Sequence, residues 1–387
     1  MSNAEFVMIS PHHADCDYRV RRVIAVMHAI GLAVDVYWDS RYPGHQKRRP
    51  FEDHVRELYR ANQPGEGRLS LMGKPFLHKD IEAAIRNARI VYINASAIEG
   101  LLYAREAKRL NPDCQVIYDY HDSLTYELYY QLKKRGLGLF YKLAWPLYRL
   151  LCGRLARHVD ALVGISTTQV REFPKKESQM AATASVPNFR KFDDFEFRAQ
   201  APAAGGRGAL IWLGQVMLGR DLEKLSGWIA RVGDRRRFHV FGKVIDEASP
   251  AMVAAQLDGN VDFYGEFRSE ADILDQMPAA PIGVFMGWED PAGTNINAHA
   301  SPNKYFTYVN MGIPVIIAAS LTELAGHVAE CGAGIAVGDE TEFAQAVTTI
   351  ETNYAAYAEG SRRLKEKYRS MPPEKTIRDF LEKILQK

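Results

Sequence analysis

Residues 301–316, reading SPNKYFTYVNMGIPVI, hold the side chains best suited to chemistry in this chain. Ser301 can cap a helix, and Pro302 suits the first turn, where a missing N–H leaves no helix bond unmade. The backbone N–H groups of Asn303 and Lys304 then point out of the positive end of the helix, and Lys304 adds a full charge there. Gly312 can end the helix, and residues 313–318 read as a buried strand. A helix start of this kind, followed by an apolar strand, makes a phosphate seat in an α/β sheet. The alternative is an ordinary capped helix with a solvated lysine.

The elements that must position this segment follow from the whole chain. Its 387 residues suggest two domains, and 47% apolar content is enough for large cores. Short apolar runs at 6–10, 33–38, 90–95, 115–120 and 161–166 alternate with amphipathic segments such as 18–30 and 101–110, the order of a parallel sheet covered by helices. Residues 39–78, rich in Arg, Pro and Gly, fit no element. The stretch 199–208, AQAPAAGGRG, has a linker's composition. The alternation then restarts at 209–214, 237–242, 261–265, 282–287, 313–318 and 334–338, and helices are expected at about 340–367 and 375–386. The predicted fold is α/β: two Rossmann-like doubly wound domains facing a central cleft. Their expected bounds are 1–198 and 209–369, with a last helix at about 370–387 packing back on the first. Ligands in such sheets sit outside the carboxyl ends of the strands.

That rule singles out strand-end residues. The loop PHHADCDYR after the first strand offers His12, His13, Asp17 and Arg19. Asp17 is equally a helix cap, and Arg19 equally a solvated residue. The adjacent histidines lack a third ligand, so no metal site is expected. Asp119, His121 and Asp122 surround the end of the strand VIYDY; Asp119 is equally a loop brace and Asp122 equally an N-cap. Four scattered cysteines make neither a zinc cluster nor a disulfide framework and fit a reducing cytoplasm. No apolar run is long enough to span a bilayer. Residues 6–10 are too short for a signal peptide. A net charge of +2 carries no signature of nucleic acid, and none is expected as a partner.

The segment 301–316 resembles the donor site of family 4 glycosyltransferases and their GT-B relatives, which often read SPxKLFEYMAxGxPVI. Other stretches resemble the same family in the same order: DYRVRRVIAVMHAIGLAVDV, QVIYDYHDSLTYE, RHVDALVGIS, VPNF, NVDFYGEF and ECGAGIAVGDETEFAQAV. The resemblance covers most of the chain except 39–78. It implies a GT-B fold with the acceptor on the first domain and a nucleotide-sugar donor, UDP-, GDP- or another, on the second. It also implies transfer of a sugar to a glycan or lipid-linked acceptor, retaining and without a metal or other cofactor.

The resemblance assigns roles residue by residue. Lys304, with Pro302 and Asn303, holds the donor diphosphate. Arg220, in the loop GQVMLGRDLEKL that also contains Gly214 and Gln215, stands at the family's lysine position. Gln215 stands at its arginine position, so one cation is absent. Where the family carries two glutamates with seven residues between them, this chain has His299 and Thr307, which can bond a hydroxyl but bring no negative charge. Gly242, Lys243, Glu266 and Phe267 fall near the nucleotide base. His121, with Asp122, falls near the donor sugar. The catalytic set is therefore His121, Asp122, Arg220 and Lys304; the acceptor set is His12, His13, Asp17 and Arg19. A catalytically silent nucleotide-sugar binder and a nucleotide-sugar epimerase of the same fold are the rival readings.

One further stretch stands apart. Residues 128–159 hold seven Lys or Arg and no acid, interleaved with Leu, Phe, Trp and Tyr. That mixture is the signature of a helix lying in a membrane plane, here an anionic surface on the inner face of the membrane. A core helix with snorkelling arginines gives the same pattern.

Overall fold

A computed structural model of the chain describes residues 5–10, 18–39, 55–60, 79–95, 97–120, 123–189, 192, 207–214, 216–217, 222–232, 237–245, 250–256, 259–267, 270–287 and 300–386. The chain forms two compact units, Met1–Pro187 with Pro373–Lys387, and Asn188–Pro372.

The first unit alternates β1 (Phe6–Ser10), α1 (Tyr18–Ala29), β2 (Val34–Asp39), β3 (Val55–Arg60), α2 (Lys79–Asn87), β4 (Ile90–Asn94), α3 (Ala97–Leu110), β5 (Gln115–Tyr120), α4 (Leu124–Lys134), α5 (Tyr141–Ala156), β6 (Ala161–Gly164), α6 (Thr167–Glu172) and β7 (Ala182–Ser185). Its seven strands are all parallel, in the order β3-β2-β1-β4-β5-β6-β7. Strands β1 and β4 are buried along their whole length, which is why they read as unbroken apolar runs. Alternate residues feed opposite faces: Val7, Ile9, Val91 and Ile93 enter one core, Phe6, Met8, Ile90 and Tyr92 the other.

The second unit contains β8 (Ala209–Leu213), β9 (Val216–Met217), α7 (Leu222–Val232), β10 (Phe238–Phe241), β11 (Val244–Ile245), α8 (Pro250–Gln256), β12 (Val261–Gly265), β13 (Pro281–Phe285), α9 (Asn303–Asn310), β14 (Val315–Ala318), α10 (Thr322–Cys331), β15 (Gly334–Val337), α11 (Glu340–Thr352) and α12 (Tyr354–Arg369). Six strands form a parallel sheet in the order β12-β10-β8-β13-β14-β15, and β9 and β11 pair separately. Counted from its own first strand, the main sheet of each unit begins in the Rossmann-like order 3-2-1-4-5-6. In each, the winding reverses beside the first strand: between β1 and β4, and between β8 and β13.

A final helix, α13 (Pro373–Leu385), belongs to the first unit. Its Ile377, Phe380, Leu381 and Ile384 join the core that contains α1 and one face of β1.

Four features differ from the sequence reading. The expected helix over 340–367 is two helices, broken at Asn353; the break lets the Tyr354 hydroxyl donate to the Pro281 carbonyl at 2.8 Å. Strands β3, β7, β9 and β11 have no counterpart in the expected elements; β3 and β7 are the edges of the first sheet, and β9 and β11 are two-residue strands paired with each other. The second unit begins at Asn188, because Phe189 and Phe192 pack with Phe306 and Tyr368. Last, Pro302 rather than Ser301 is the N-cap of α9, in extended backbone. The Ser301 hydroxyl instead accepts the Asn188 N–H at 3.0 Å.

Candidate functional site

The donor-type segment folds as a short helix laid over the winding reversal of the second sheet. Pro302 starts α9, and Gly312 (φ 68°) ends it. The Gly312 N–H reaches the Val309 carbonyl and the Ile313 N–H reaches the Tyr308 carbonyl, the paired closure that terminates many helices. The amide N–H groups of the first turn, at Asn303 and Lys304, point out of the amino end.

Tyr308 holds α9 in place. Its buried hydroxyl accepts the Leu213 N–H at 3.1 Å and lies 3.2 Å from the carbonyls of both Ile211 and Val284. It therefore sits where β8 and β13 diverge, and satisfies backbone groups that a continuous ladder would have paired. The helix lies so close that a Cβ at Gly283 would come within 2.6 Å of the Tyr308 ring. Only glycine fits there.

With α9 so fixed, the Lys304 ammonium lies 3.5 Å from the centre of the Trp212 ring and 5.5 Å from that of Phe285. Both rings are fully buried and belong to the carboxyl ends of the two strands flanking the reversal. The indole face orients the cation. Lys304 belongs to the first turn of α9. Gly214 lies against the same lysine stem, its added Cβ 4.0 Å from Lys304 Cε. Gly214 and Gly242 touch: a Cβ on Gly242 would meet the Gly214 carbonyl oxygen at 1.9 Å. The ends of β8 and β10 can close together only with glycine at 242.

The remaining second-unit candidates sit at neighbouring strand ends. Lys243 and Glu266 form an exposed ion pair at 3.0 Å, just beyond β10 and β12. Such a pair is weak enough for a ligand to displace. Phe267 is half-buried against the core. The Thr307 hydroxyl donates to the Asn303 carbonyl of its own helix at 3.3 Å. Gln215, Arg220 and His299 lie outside the described residues.

In the first unit, Arg19 is not in the loop where it was expected. It occupies the first turn of α1, 4% exposed, and its guanidinium is committed inward. It donates to both Asp119 carboxylate oxygens, at 2.5–2.9 Å, and to the Val186 carbonyl at 2.9 Å. The Tyr92 hydroxyl donates to the same carboxylate at 2.7 Å. Asp119 is thus a buried brace joining α1, β4, β5 and the end of β7, and Arg19 is its counter-charge. Neither has a donor or acceptor facing solvent to spend on an acceptor sugar. Arg22, one turn on, is also buried, and desolvation lowers its pKa. His12, His13, Asp17, His121 and Asp122 lie outside the described residues.

The buried thiols are not nucleophiles. Burial pushes Cys114 up to about 11 and Cys152 up to about 12, so both stay protonated near neutrality. A basic cluster of Arg105, Lys108, Arg109 and Arg157 stands at the amino ends of β5 and β6, the wrong end of the sheet for a Rossmann-type ligand. Two of its charges are paired locally: Lys108 with Asp160 at 2.7 Å and Arg109 with Glu106 at 2.5 Å.

Trp212 and Tyr308 are the site residues that sequence reasoning missed. An apolar strand and an amphipathic helix account for both without reference to a site; only the position of Lys304 reveals what they do.

No protein-family model matches the chain, and no curated protein matches it in sequence. Solved structures do match in fold. A sucrose-phosphate synthase from Thermosynechococcus elongatus matches with a TM-score of 0.60 and 14% identity, over 98% of this chain and 96% of its own. The lipopolysaccharide outer core galactosyltransferase WaaB matches with a TM-score of 0.62 and 12% identity, over 97% and 98%. Anabaena HepE, solved in complex with UDP and glucose, matches with a TM-score of 0.59 and 14% identity, over 98% and 99%. The chain has the GT-B fold.

Proposed function

We propose that the protein is a glycosyltransferase that moves a sugar from a nucleotide-sugar donor to a glycan or lipid-linked acceptor. One observation carries this reading: Lys304 is held on Trp212 at the reversal point of the second sheet, beside the amino end of α9. A diphosphate at that point meets a fixed cation and two helix N–H groups. In the transfer, the bond from C1 of the sugar to the diphosphate breaks and negative charge grows on the departing oxygen. The acceptor hydroxyl bonds to C1, and its proton passes to the departing diphosphate oxygen. Lys304 and the first turn of α9 stabilise the departing charge, and being fixed beforehand they need no reorganisation. Arg220 adds a second cation. Fixed cations of this kind do the work of a metal, so the reaction proceeds without one.

Gly214 and Gly242 let the nucleotide approach the backbone at the ends of β8 and β10, with Lys243, Glu266 and Phe267 beside the base. The UDP in HepE and the fold shared with it support a uridine donor. His299 and Thr307 are assigned to the sugar, and His121 and Asp122 to the sugar and the acceptor hydroxyl. With Arg19 held inward, acceptor contact falls to His12, His13 and Asp17. The resemblance of the donor segment supports retention of anomeric configuration. The free cysteines suit a cytoplasmic enzyme.

A silent nucleotide-sugar binder is the second reading, favoured by the tie of Thr307 to its own helix. The test is a screen of UDP-, GDP-, ADP- and dTDP-sugars by thermal shift, followed by donor hydrolysis without acceptor. A ligand at 100 times its dissociation constant stabilises by about 2.7 kcal/mol. An enzyme shifts with one nucleotide class and slowly hydrolyses that donor, whereas a binder shifts without hydrolysis. A protein that shifts with none of them has no donor site.

A further inference from the structure

The surface of α5 is unlike the rest of the molecule. Tyr141, Cys152, Leu155 and Ala156 are buried, and Trp145, Tyr148 and Leu151 pack partly against the same core, so one side of the helix is fully used. The opposite side is also apolar. Leu139 is 98% exposed, Leu143 79%, Leu147 72% and Leu150 54%; Phe140 and Leu137 are exposed beside them. Leu143, Leu147 and Leu150 follow i, i+4, i+7 spacing and form one outward stripe. Met371 is the only other large apolar side chain among the described residues that is comparably exposed. A concentration of this kind marks an interaction surface, whereas scattered single leucines mark nothing.

The charges around the stripe specify the partner. Arg135, Lys142, Arg149 and Arg154 are exposed next to it, and residues 128–159 contain no acid. We infer that α5 and the turn before it dock in the plane of an anionic lipid bilayer, with the leucines entering the acyl boundary and the basic side chains at the headgroup phosphates. A second copy of the chain fits poorly. A twofold contact through this stripe would bring the basic side chains of two copies together, and residues 128–159 supply no acid to offset them. The helix does not cross the bilayer: no described helix is long and apolar enough to do so. This inference is independent of the donor-site reading, because vesicle binding is measured without nucleotide. If both hold, the first unit is brought to acceptors carried on lipid.

The test is co-sedimentation of the full chain with phosphatidylcholine vesicles, with and without phosphatidylglycerol. The intact protein should bind the anionic vesicles, and binding should weaken as salt rises and the screening length shrinks from about 10 Å at 0.1 M to about 3 Å at 1 M. The variant L143S/L147S/L150S should lose at least about tenfold in partition on the area lost from the apolar contact. The variant K142E/R149E/R154E should lose a comparable factor on anionic vesicles alone. All six positions are exposed, so unfolding midpoints should match the parent and keep folding separate from docking. Failure of the parent to bind either vesicle would overturn the inference, as would undiminished binding by the leucine variant. So would a parent dimer that the leucine variant converts to monomer, which would give the face to a second copy.

Discussion

Replacing Lys304 by Ala separates a site cation from a structural one. The ammonium lies 3.5 Å from the Trp212 ring centre, so its loss removes a partly desolvated cation–π contact. That contact is worth about 1–2 kcal/mol. The same charge, placed at the departing diphosphate, is worth about 2.7–4 kcal/mol of barrier, or about 100- to 1,000-fold in turnover. The two effects differ enough to be told apart. Urea unfolding of Lys304→Ala should show a loss of no more than about 2 kcal/mol, while kcat for donor hydrolysis should fall at least about 100-fold. Lys304→Met is the control: it keeps the stem over Trp212 and removes the charge, so it should recover much of the stability and none of the rate. Trp212 is also a reporter, because a diphosphate that draws the ammonium off the indole should change its fluorescence; the Met variant should lack that change. If Lys304→Ala kept turnover within about fivefold of the parent, the diphosphate would not sit at α9 and the donor site would have to be sought elsewhere.

Asp119→Ala would remove the carboxylate that the buried Arg19 guanidinium donates to, and should cost about 3–5 kcal/mol by denaturant titration; a cost below about 1 kcal/mol would deny the brace. Gly283→Ala would drive a methyl into the Tyr308 ring, so it should cost about 1–3 kcal/mol and lower turnover by displacing α9; unaltered turnover would show that the exact seat of α9 is unimportant. His239 is held below the ordinary imidazole range, chiefly by burial and despite Asp262. It is therefore neutral in the fold and takes up a proton more readily when unfolded. Its contribution is complete above pH about 6.5 and declines as pH falls through that value. The loss of stability between pH 7.5 and 5.5 should be smaller in His239→Gln than in the parent, and an equal loss would contradict the reading. Transfer should persist in excess EDTA; activity abolished by EDTA and restored by magnesium or manganese would refute catalysis by fixed cations.

The sequence alone was sufficient for the layers and their order. The central strand β1 appears as an apolar run whose ends match the structure, because burial on both faces leaves little room for polar residues. Glycine at 312 likewise announces a helix end through local backbone physics. The edges of the first sheet, β3 and β7, were not legible. β7 is ATAS, four small residues paired with β6 alone, and it carries too little apolar content to signal a strand. The break at Asn353 was equally silent, since it answers to a carbonyl at Pro281 far away in the chain. Side-chain duties were decided only by tertiary structure. Arg19 reads as a loop cation until α1 turns it onto Asp119, 100 positions on. Ser301 reads as a cap until Asn188 claims its hydroxyl. Trp212 and Lys304 have no relation in sequence, and their contact exists because Tyr308 sets α9 over the gap between β8 and β13. Local propensity and periodicity act within a few residues and can be read directly. A buried charge or hydroxyl takes whichever partner the packing brings to it, and that choice exists only in the folded chain.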